Sequence, residues 1–212
     1  MRGAVVLILG LVFCSTSPVL VSGNVMGVED NSSLSHLDGS GVVIAVADTG
    51  IDMDHSCFRN SSDEVGIPGE SHRKILHLND SVDFWDTQGH QQFRHGTHIA
   101  GILACSHVDG TNESISLSSG SKLVVQDIVD SSGWQAPEDV TTLLAESARF
   151  GAVINSWSWG DSTVDYTDRS GLIDKWTVEN PWSLVFVAPG TNGNTMLEPS
   201  NAYNAVSVVA RD

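Results

Sequence analysis

Basic residues are scarce in this 212-residue chain, because lysine and arginine together number 10 against 26 aspartates and glutamates. The formal net charge of −16 repels a phosphate backbone, so the composition argues against a nucleic-acid partner. The acidic residues are scattered rather than gathered in a run, which indicates a solvated acidic surface and not an acidic tail. Hydrophobic residues make up 41% of the chain, a proportion that suits a folded domain and argues against disorder.

Long apolar runs are also scarce, and the run from Gly3 to Phe13 falls short of the ~20 residues that a membrane-spanning helix needs. Arg2 precedes this run and small residues follow it as far as Gly23. This order predicts a signal peptide over residues 1–23, and the alternative is a buried strand or helix. We therefore expect a secreted or secretory-pathway glycoprotein with no membrane span after signal removal. Weak support comes from the Asn-x-Ser sequons at Asn31, Asn60, Asn79 and Asn112.

Internal repeats are absent, and the remaining chain divides into a polar, serine-rich lead-in over residues 24–38 and one domain over residues 39–212. Apolar, β-branched runs predict strands, and helical spacing of apolar residues predicts helices between them. The predicted strands cover residues 42–47, 74–78, 122–129, 152–157, 183–188 and 204–210. The predicted helices cover residues 95–104, 136–151 and 171–180. This alternation predicts an α/β fold with a mostly parallel sheet and helices on both faces.

In such sheets functional side chains gather at the carboxyl ends of strands, and Asp48 stands at one predicted strand end. His95 stands at the predicted start of a helix, in the stretch FRHGTHIAGILA. A carboxylate and an imidazole supply two parts of an acid-base relay, in which the carboxylate fixes the imidazole tautomer and stabilises the imidazolium. A helix N-terminus disfavours the charged imidazole, which helps to keep it available as a base.

A helical zinc motif is missing from the same stretch. That motif needs two histidines four residues apart with a glutamate between them, whereas His95 and His98 are three apart. A metal-binding α/β protein that uses His95, His98 and nearby acids therefore stays a minor alternative. A second alternative is one buried and one exposed histidine without a chemical role.

Two motifs together resemble the subtilisin-like serine peptidases, the subtilases: IAVADTGID, which contains Asp48, and HGTHIAGI, which begins at His95. Three further segments resemble later blocks of that family, namely INSWSWG, VFVAPGTNG and PSNAYNAVSVVA. The resemblance covers about residues 39–210 and implies a three-layer α/β/α fold with protein or peptide substrates. It also implies that Asp48 is the orienting acid, that His95 is the general base and that His98 is a packing residue.

The resemblance assigns further roles outside this pair. Residues Ser158, Trp159 and Gly160 would form the edge along which an extended peptide binds as a strand. Cys57 and Cys105 lie in two loops that are neighbours in the family, which implies a disulfide between them. No cofactor or metal is required for the family's chemistry, but structural calcium is common, and Asp52 and Asp54 lie near the first motif.

Two family features are altered or missing here. The oxyanion position holds Thr191 instead of the family's asparagine, with Asn192 next to it and Pro189 in place of an alanine. The family's nucleophile lies in a Gly-Thr-Ser motif, and no Gly-Thr pair of this chain is followed by serine. We interpret the chain as truncated before the catalytic serine and expect no triad-dependent activity from it. The alternative is a non-catalytic secreted binding module, a pseudopeptidase on the same fold.

Overall fold

The structure is a computed structural model that describes residues 37–83, 86, 94–109, 116–190 and 195–209. In chain order its elements are β1 (Val43–Asp48), β2 (Ile75–Asn79), α1 (His95–Ala104), β3 (Lys122–Asp127), β4 (Val129–Asp130), β5 (Gly133–Trp134), α2 (Thr141–Arg149), β6 (Ile154–Trp157), α3 (Asp168–Glu179), β7 (Leu184–Val187) and β8 (Val206–Ser207). The predicted signal peptide, residues 1–23, and residues 24–36 of the lead-in lie outside the described residues. Within the described ranges, none of the helices has the length and apolar character needed to cross a membrane.

Six of the strands form one sheet in the order β2-β3-β1-β6-β7-β8, and each neighbouring pair runs parallel. The prediction of a mostly parallel α/β sheet is therefore confirmed. β4 and β5 form a separate antiparallel hairpin directly after β3. β1 lies inside the sheet, bonded to β3 on one side and to β6 on the other, which explains its unbroken apolar sequence.

The helices cover both faces of the sheet and give the three-layer arrangement. Ile44 and Val46 of β1 share one apolar cluster with Ile99 of α1. Ala47 points the other way and shares a second cluster with Leu144 of α2 and Ile173 of α3. Because side chains alternate along a strand, the side chain two residues after Val46 faces α1. Asp48 is that residue.

Several predicted boundaries differ from the structure, and in two cases a single side chain marks the observed boundary. The helix predicted from residue 136 begins at Thr141, where the Asp139 carboxylate accepts the Thr141 N–H at 3.0 Å and so satisfies one unpaired N–H of the first turn. The strand predicted over 122–129 ends at Asp127, whose carboxylate turns back to accept the Val129 N–H at 3.0 Å. α3 begins at Asp168, three residues before its predicted start at 171, and the predicted strand 204–210 is limited to β8.

Candidate active site

Asp48 and His95 meet at the carboxyl edge of the sheet. Asp48 is the last residue of β1 and is fully buried, and one of its carboxylate oxygens, Oδ1, lies 2.7 Å from His95 Nδ1. The same oxygen accepts the Thr49 N–H at 2.8 Å, which holds the carboxylate in place. Because both groups bond to the same buried oxygen, the carboxylate is held in one orientation and in turn fixes the position of the imidazole ring.

His95 is the first residue of α1 and presents its ring to Asp48 from the helix N-terminus. The residue before it, Arg94, has a left-handed backbone with φ of 68°, which is rare outside glycine and sets the angle at which the helix begins. An Nδ1–H donated to the Asp48 carboxylate leaves the ring lone pair on Nε2. Since the His95 side chain is 23% exposed while Asp48 is 0% exposed, the pair has a buried acid and a partly accessible base.

Gly96 lets the start of α1 pack directly against the turn that follows β1. A Cβ placed on Gly96 would lie 2.3 Å from the carbonyl oxygen of Gly50, closer than any side chain tolerates. The Gly96 N–H donates to the Thr49 hydroxyl at 2.7 Å across the same contact. The sequences DTG and HGT are therefore two halves of one backbone contact, and this contact sets the separation of Asp48 and His95.

Asp86 joins the same two segments and was not identified from the sequence. Its carboxylate accepts the N–H groups of Arg94 at 2.9 Å and Thr97 at 3.3 Å, and so caps α1 from outside the helix. It also accepts the hydroxyl of Thr49 at 3.1 Å and that of Thr97 at 2.5 Å. The only sequence signal would have been an acid shortly before a helix N-terminus, which occurs often without this role.

Asp127 is a second buried acid that the sequence analysis missed. It is the β3 residue opposite Asp48 in the parallel register, so the two residues are neighbours at the sheet edge, and its exposure is 2%. Burial raises the pKa of Asp127 to about 8; the nearby acids Asp83 and Asp86 add to the rise, and the Val129 N–H bond opposes it. A carboxyl group with this pKa is largely protonated at neutral pH.

A disulfide joins Cys57, nine residues after Asp48, to Cys105, the residue that follows α1. Both cysteines are 3% exposed. The covalent bond therefore connects the loop after Asp48 to α1, at the end of the helix remote from His95.

The segment proposed as a peptide-binding edge leaves the sheet after β6. Trp159 is 6% exposed and stacks on Trp157 with 5.1 Å between ring centroids, while Ser158 is half-buried and Gly160 is exposed. A Cβ on Gly160 would lie 2.0 Å from the Glu198 carbonyl oxygen, so only glycine fits at this position.

An ionic network that the sequence did not reveal supports this edge. The buried Glu198 carboxylate accepts the Asp161 N–H at 3.2 Å and the Thr167 hydroxyl at 3.1 Å. Arg169, 8% exposed, bonds the Asp161 carboxylate at 2.7 Å and lies 3.6 Å from Glu198. These groups are distant in sequence, so pattern alone could not have connected them.

The remaining predicted residues divide into two groups. Thr191 and Asn192, the two candidates for the oxyanion position, lie outside the described residues. His98 is exposed, although the resemblance implied a packing residue. Among the described residues, three potential metal ligands lie close together: Cys57, Cys105 and His107. His95 and His98 are not part of this group, so the described structure does not support a metal site built on them.

Known proteins resemble the chain in both sequence and fold. The sequence profile described as the Subtilase family matches residues 39–212. The chain is 28% identical over 193 residues to the serine protease/ABC transporter B family protein tagD of Dictyostelium discoideum, an alignment that covers 82% of this chain and 10% of the relative. It is 31% identical over 144 residues to a calcium-dependent protease of Trichormus variabilis, covering 68% of this chain and 19% of the relative.

Among solved structures, the psychrophilic subtilisin-like protease Apa1 from the Antarctic psychrotroph Pseudoalteromonas sp. AS-11 superposes with a TM-score of 0.58 at 19% identity. The match covers 82% of this chain and 36% of that one, and at this identity it establishes likeness of fold alone. The chain therefore spans between a tenth and about a third of the length of these three proteins.

Proposed function

The chain belongs to the subtilase family, and from this premise we propose that it carries the acid and the base of a Ser-His-Asp endopeptidase, Asp48 and His95. The observation that supports the proposal best is the 2.7 Å contact between Asp48 Oδ1 and His95 Nδ1 at the carboxyl edge of the sheet. Membership in this family makes proteins or peptides the expected substrates. The nucleophilic serine would come from a segment in which the family's Gly-Thr-Ser motif occurs, and no such motif is present among these 212 residues.

In the proposed reaction His95 Nε2 removes the proton from the serine hydroxyl as the oxygen attacks the scissile carbonyl carbon. The Asp48 carboxylate keeps the imidazole in the required tautomer and stabilises the imidazolium that forms, without itself becoming protonated. The peptide would lie extended along Ser158, Trp159 and Gly160, and the developing oxyanion would be met by the Thr191 hydroxyl or the Asn192 side chain.

Nitrogen-15 NMR of the folded chain tests the pair without requiring activity. We expect the His95 ring to hold its proton on Nδ1 and to show the low-field proton resonance of a bond to a buried carboxylate. The Asp48→Asn variant should lose that resonance, because an amide no longer accepts the Nδ1–H as a charged partner. An unchanged His95 spectrum in this variant would remove the basis of the proposed function.

The pseudopeptidase is the second candidate function, and the altered oxyanion position favours it. The sequence of the transcript beyond the codon for residue 212 discriminates between the two. A Gly-Thr-Ser motif encoded there supports the peptidase, and a stop codon supports the binding module. In either case we expect a fluorophosphonate probe to leave the 212-residue chain unlabelled, and strong labelling would contradict the assignment of roles.

Secretion and N-glycosylation are part of the same proposal, with residues 1–23 as the signal peptide and residues 24–38 as the lead-in to the peptidase domain. N-terminal sequencing of the protein secreted by expressing cells should begin after Gly23. Among the sequons, Asn79 is already engaged, because its side-chain amide donates to both Glu146 oxygens at 2.9 and 3.0 Å. We therefore expect Asn79 to be the poorer acceptor when compared with Asn60 by glycopeptide mass spectrometry.

Calcium enters the proposal only as a structural ion, on the strength of the relative named a calcium-dependent protease. The acids that the sequence analysis considered do not fit the role: Asp54 forms an ion pair with Arg59, and an Asp52 oxygen accepts the Asp54 N–H at 3.0 Å. Hard cations such as calcium need six to eight converging oxygens. If Asp52 and Asp54 are not ligands, the Asp52→Asn/Asp54→Asn variant should show the same difference in thermal unfolding between excess calcium and chelator as the unsubstituted chain. No catalytic step passes through the ion.

A further inference from the structure

Two short segments with mirrored sequences meet at the end of α1. His55-Ser56-Cys57 follows β1, and Cys105-Ser106-His107 follows α1. The disulfide brings the segments together, and His107 lies against both sulfur atoms. Two sulfurs and an imidazole nitrogen of these residues all lie within 4.8 Å of one another.

The distances are close to those of a tetrahedral metal site. His107 Nε2 lies 3.6 Å from Cys105 Sγ and 3.9 Å from Cys57 Sγ. Zinc–sulfur bonds of about 2.3 Å and zinc–nitrogen bonds of about 2.0 Å at a tetrahedral angle place nitrogen and sulfur about 3.5 Å apart. The imidazole nitrogen is therefore already at about the distance from the sulfurs that a shared zinc ion requires. The two sulfur atoms, which are bonded to each other in the disulfide, would have to move apart.

The other ring nitrogen of His107 has the outer partner that metal-binding histidines need. His107 Nδ1 lies 2.6 Å from the Ser56 hydroxyl. When Nδ1–H donates to this hydroxyl, the lone pair is on Nε2, the nitrogen 3.6 Å from Cys105 Sγ. Cys57 Sγ lies almost equally far from the two ring nitrogens, 3.9 Å from Nε2 and 4.0 Å from Nδ1. Ser56 thus holds the ring orientation and can accept the Nδ1–H of the tautomer that binds a metal through Nε2, and it belongs to the same short segment as Cys57.

The ligand types select the metal. Thiolate and imidazole ligands suit zinc, whereas calcium and magnesium require oxygen ligands. The fourth coordination position is open to water or to His55, whose ring centroid lies 6.3 Å from that of His107. Cys57 and Cys105 are each 3% exposed, so the two sulfur ligands of a bound ion would be buried.

We propose that Cys57, Cys105 and His107 form a Zn²⁺ site when the disulfide between the two cysteines is reduced. A dithiol reductant supplies two electrons and two protons, the S–S bond breaks to give two thiols, and the reductant closes into its own disulfide. Zinc then displaces the two thiol protons into solvent and binds both thiolates and His107 Nε2, with no change in its own oxidation state. In both forms the loop after Asp48 remains tied to the end of α1, by a disulfide or by the metal.

The test uses the full chain carrying Cys14→Ala, which leaves Cys57 and Cys105 as its cysteines. The chain is reduced with a dithiol, desalted under nitrogen and checked for two titratable thiols. Cobalt(II) is titrated first as a coloured substitute, and zinc is then added in competition. We expect one metal ion per chain at this site, with a thiolate-to-cobalt charge-transfer band that zinc abolishes. The oxidised chain should show no such band, and neither should the Cys57→Ala/Cys105→Ala variant.

Two substitutions distinguish a site that includes His107 from cobalt binding by the two thiolates alone. His107→Ala should weaken cobalt binding at least about tenfold, and Ser56→Ala should weaken it about 10–100-fold through loss of the outer hydrogen bond. The matched control is His98→Ala, which removes an exposed histidine outside the group and should leave the affinity unchanged. Absence of the charge-transfer band in reduced chain, or an affinity unaffected by His107→Ala, would overturn the proposal.

Discussion

Asp86 shows how much of the site depends on a residue without a motif. Its carboxylate holds the first N–H groups of α1 and the hydroxyls of Thr49 and Thr97, which flank the two predicted catalytic residues. Asp48 and His95 could be predicted because family motifs surround them and because strand ends and helix starts are recognisable. Asp86 could not, since a single acid in an irregular segment has no pattern and its role depends on tertiary contacts.

Replacing Asp86 by alanine should disturb the orientation of His95. The α1 N–H groups lose their acceptor, so we expect a loss of stability of about 0.5–2 kcal/mol, as for other helix caps, together with a weakened low-field His95 Nδ1–H resonance. Asp139→Ala is the matched control, because Asp139 accepts the Thr141 N–H at the start of α2, a different helix. It should cost similar stability but leave the His95 resonance intact, and a folded Asp86→Ala protein with the normal His95 spectrum would refute the positioning role.

Asp127 should make the chain less stable as pH rises. Its folded pKa of about 8 exceeds the ordinary value of 3.8, so between these values the folded state holds a proton that the unfolded chain has lost. By linkage, stability falls as pH rises through this window, by up to about 1.4 kcal/mol per pH unit, and levels off above pH 8. Asp127→Asn keeps the neutral form at all pH values, and its stability relative to wild type should therefore increase from pH 5 to pH 8 in urea unfolding.

The control for this pH dependence is Asp130→Asn, three residues further along the chain. Hydrogen bonds from Ser132 lower the pKa of Asp130, so it is fully ionised throughout the same window. Its substitution should give a constant stability difference between pH 5 and pH 8. A flat difference for Asp127→Asn as well would show that Asp127 is ionised in the folded state.

At the scale of elements, the types of helices and strands could be predicted better than their ends. Periodicity and β-branched composition identified β1, β3, β6, β7 and the three helices of the described residues, because burial on one face imposes those patterns. The ends depended on single side chains that turn back on the backbone, as Asp139 does at the start of α2 and Asp127 at the end of β3. Such bonds compete locally with continued regular structure and have no periodic signature.

Two glycines of α1 should respond in opposite ways to the same substitution. Gly96→Ala places a methyl group 2.3 Å from the Gly50 carbonyl, so we expect a loss of about 1–3 kcal/mol and displacement of His95 from Asp48. Gly101→Ala meets nothing within 4 Å and should stabilise the helix by about 1 kcal/mol. Chemical denaturation measures both, and equal effects of the two substitutions would show that the contact between α1 and the turn after β1 is not tight.

At the scale of the molecule, the disulfide closes a long loop and should contribute a large part of the stability. Cys57 and Cys105 are 48 positions apart, and for a loop of that length the chain-entropy argument gives about 4 kcal/mol as an upper value. Cys57→Ala/Cys105→Ala should therefore lose about 2–4 kcal/mol in urea unfolding under oxidising conditions. Wild-type chain reduced in chelator should match the variant, and a loss below about 1 kcal/mol would mean that packing alone holds α1 in place.

Because β1 is central in the sheet, the proposed acid is held in place more firmly than the proposed base. β1 is hydrogen-bonded to a neighbour along each side, so Asp48 can leave its place only when the sheet itself comes apart. α1 is held through side chains instead, by its buried Ile99 and Leu103 and by the disulfide at its end. Reduction of the disulfide should therefore speed amide hydrogen exchange in α1 more than in β1, and loosen the imidazole before the carboxylate.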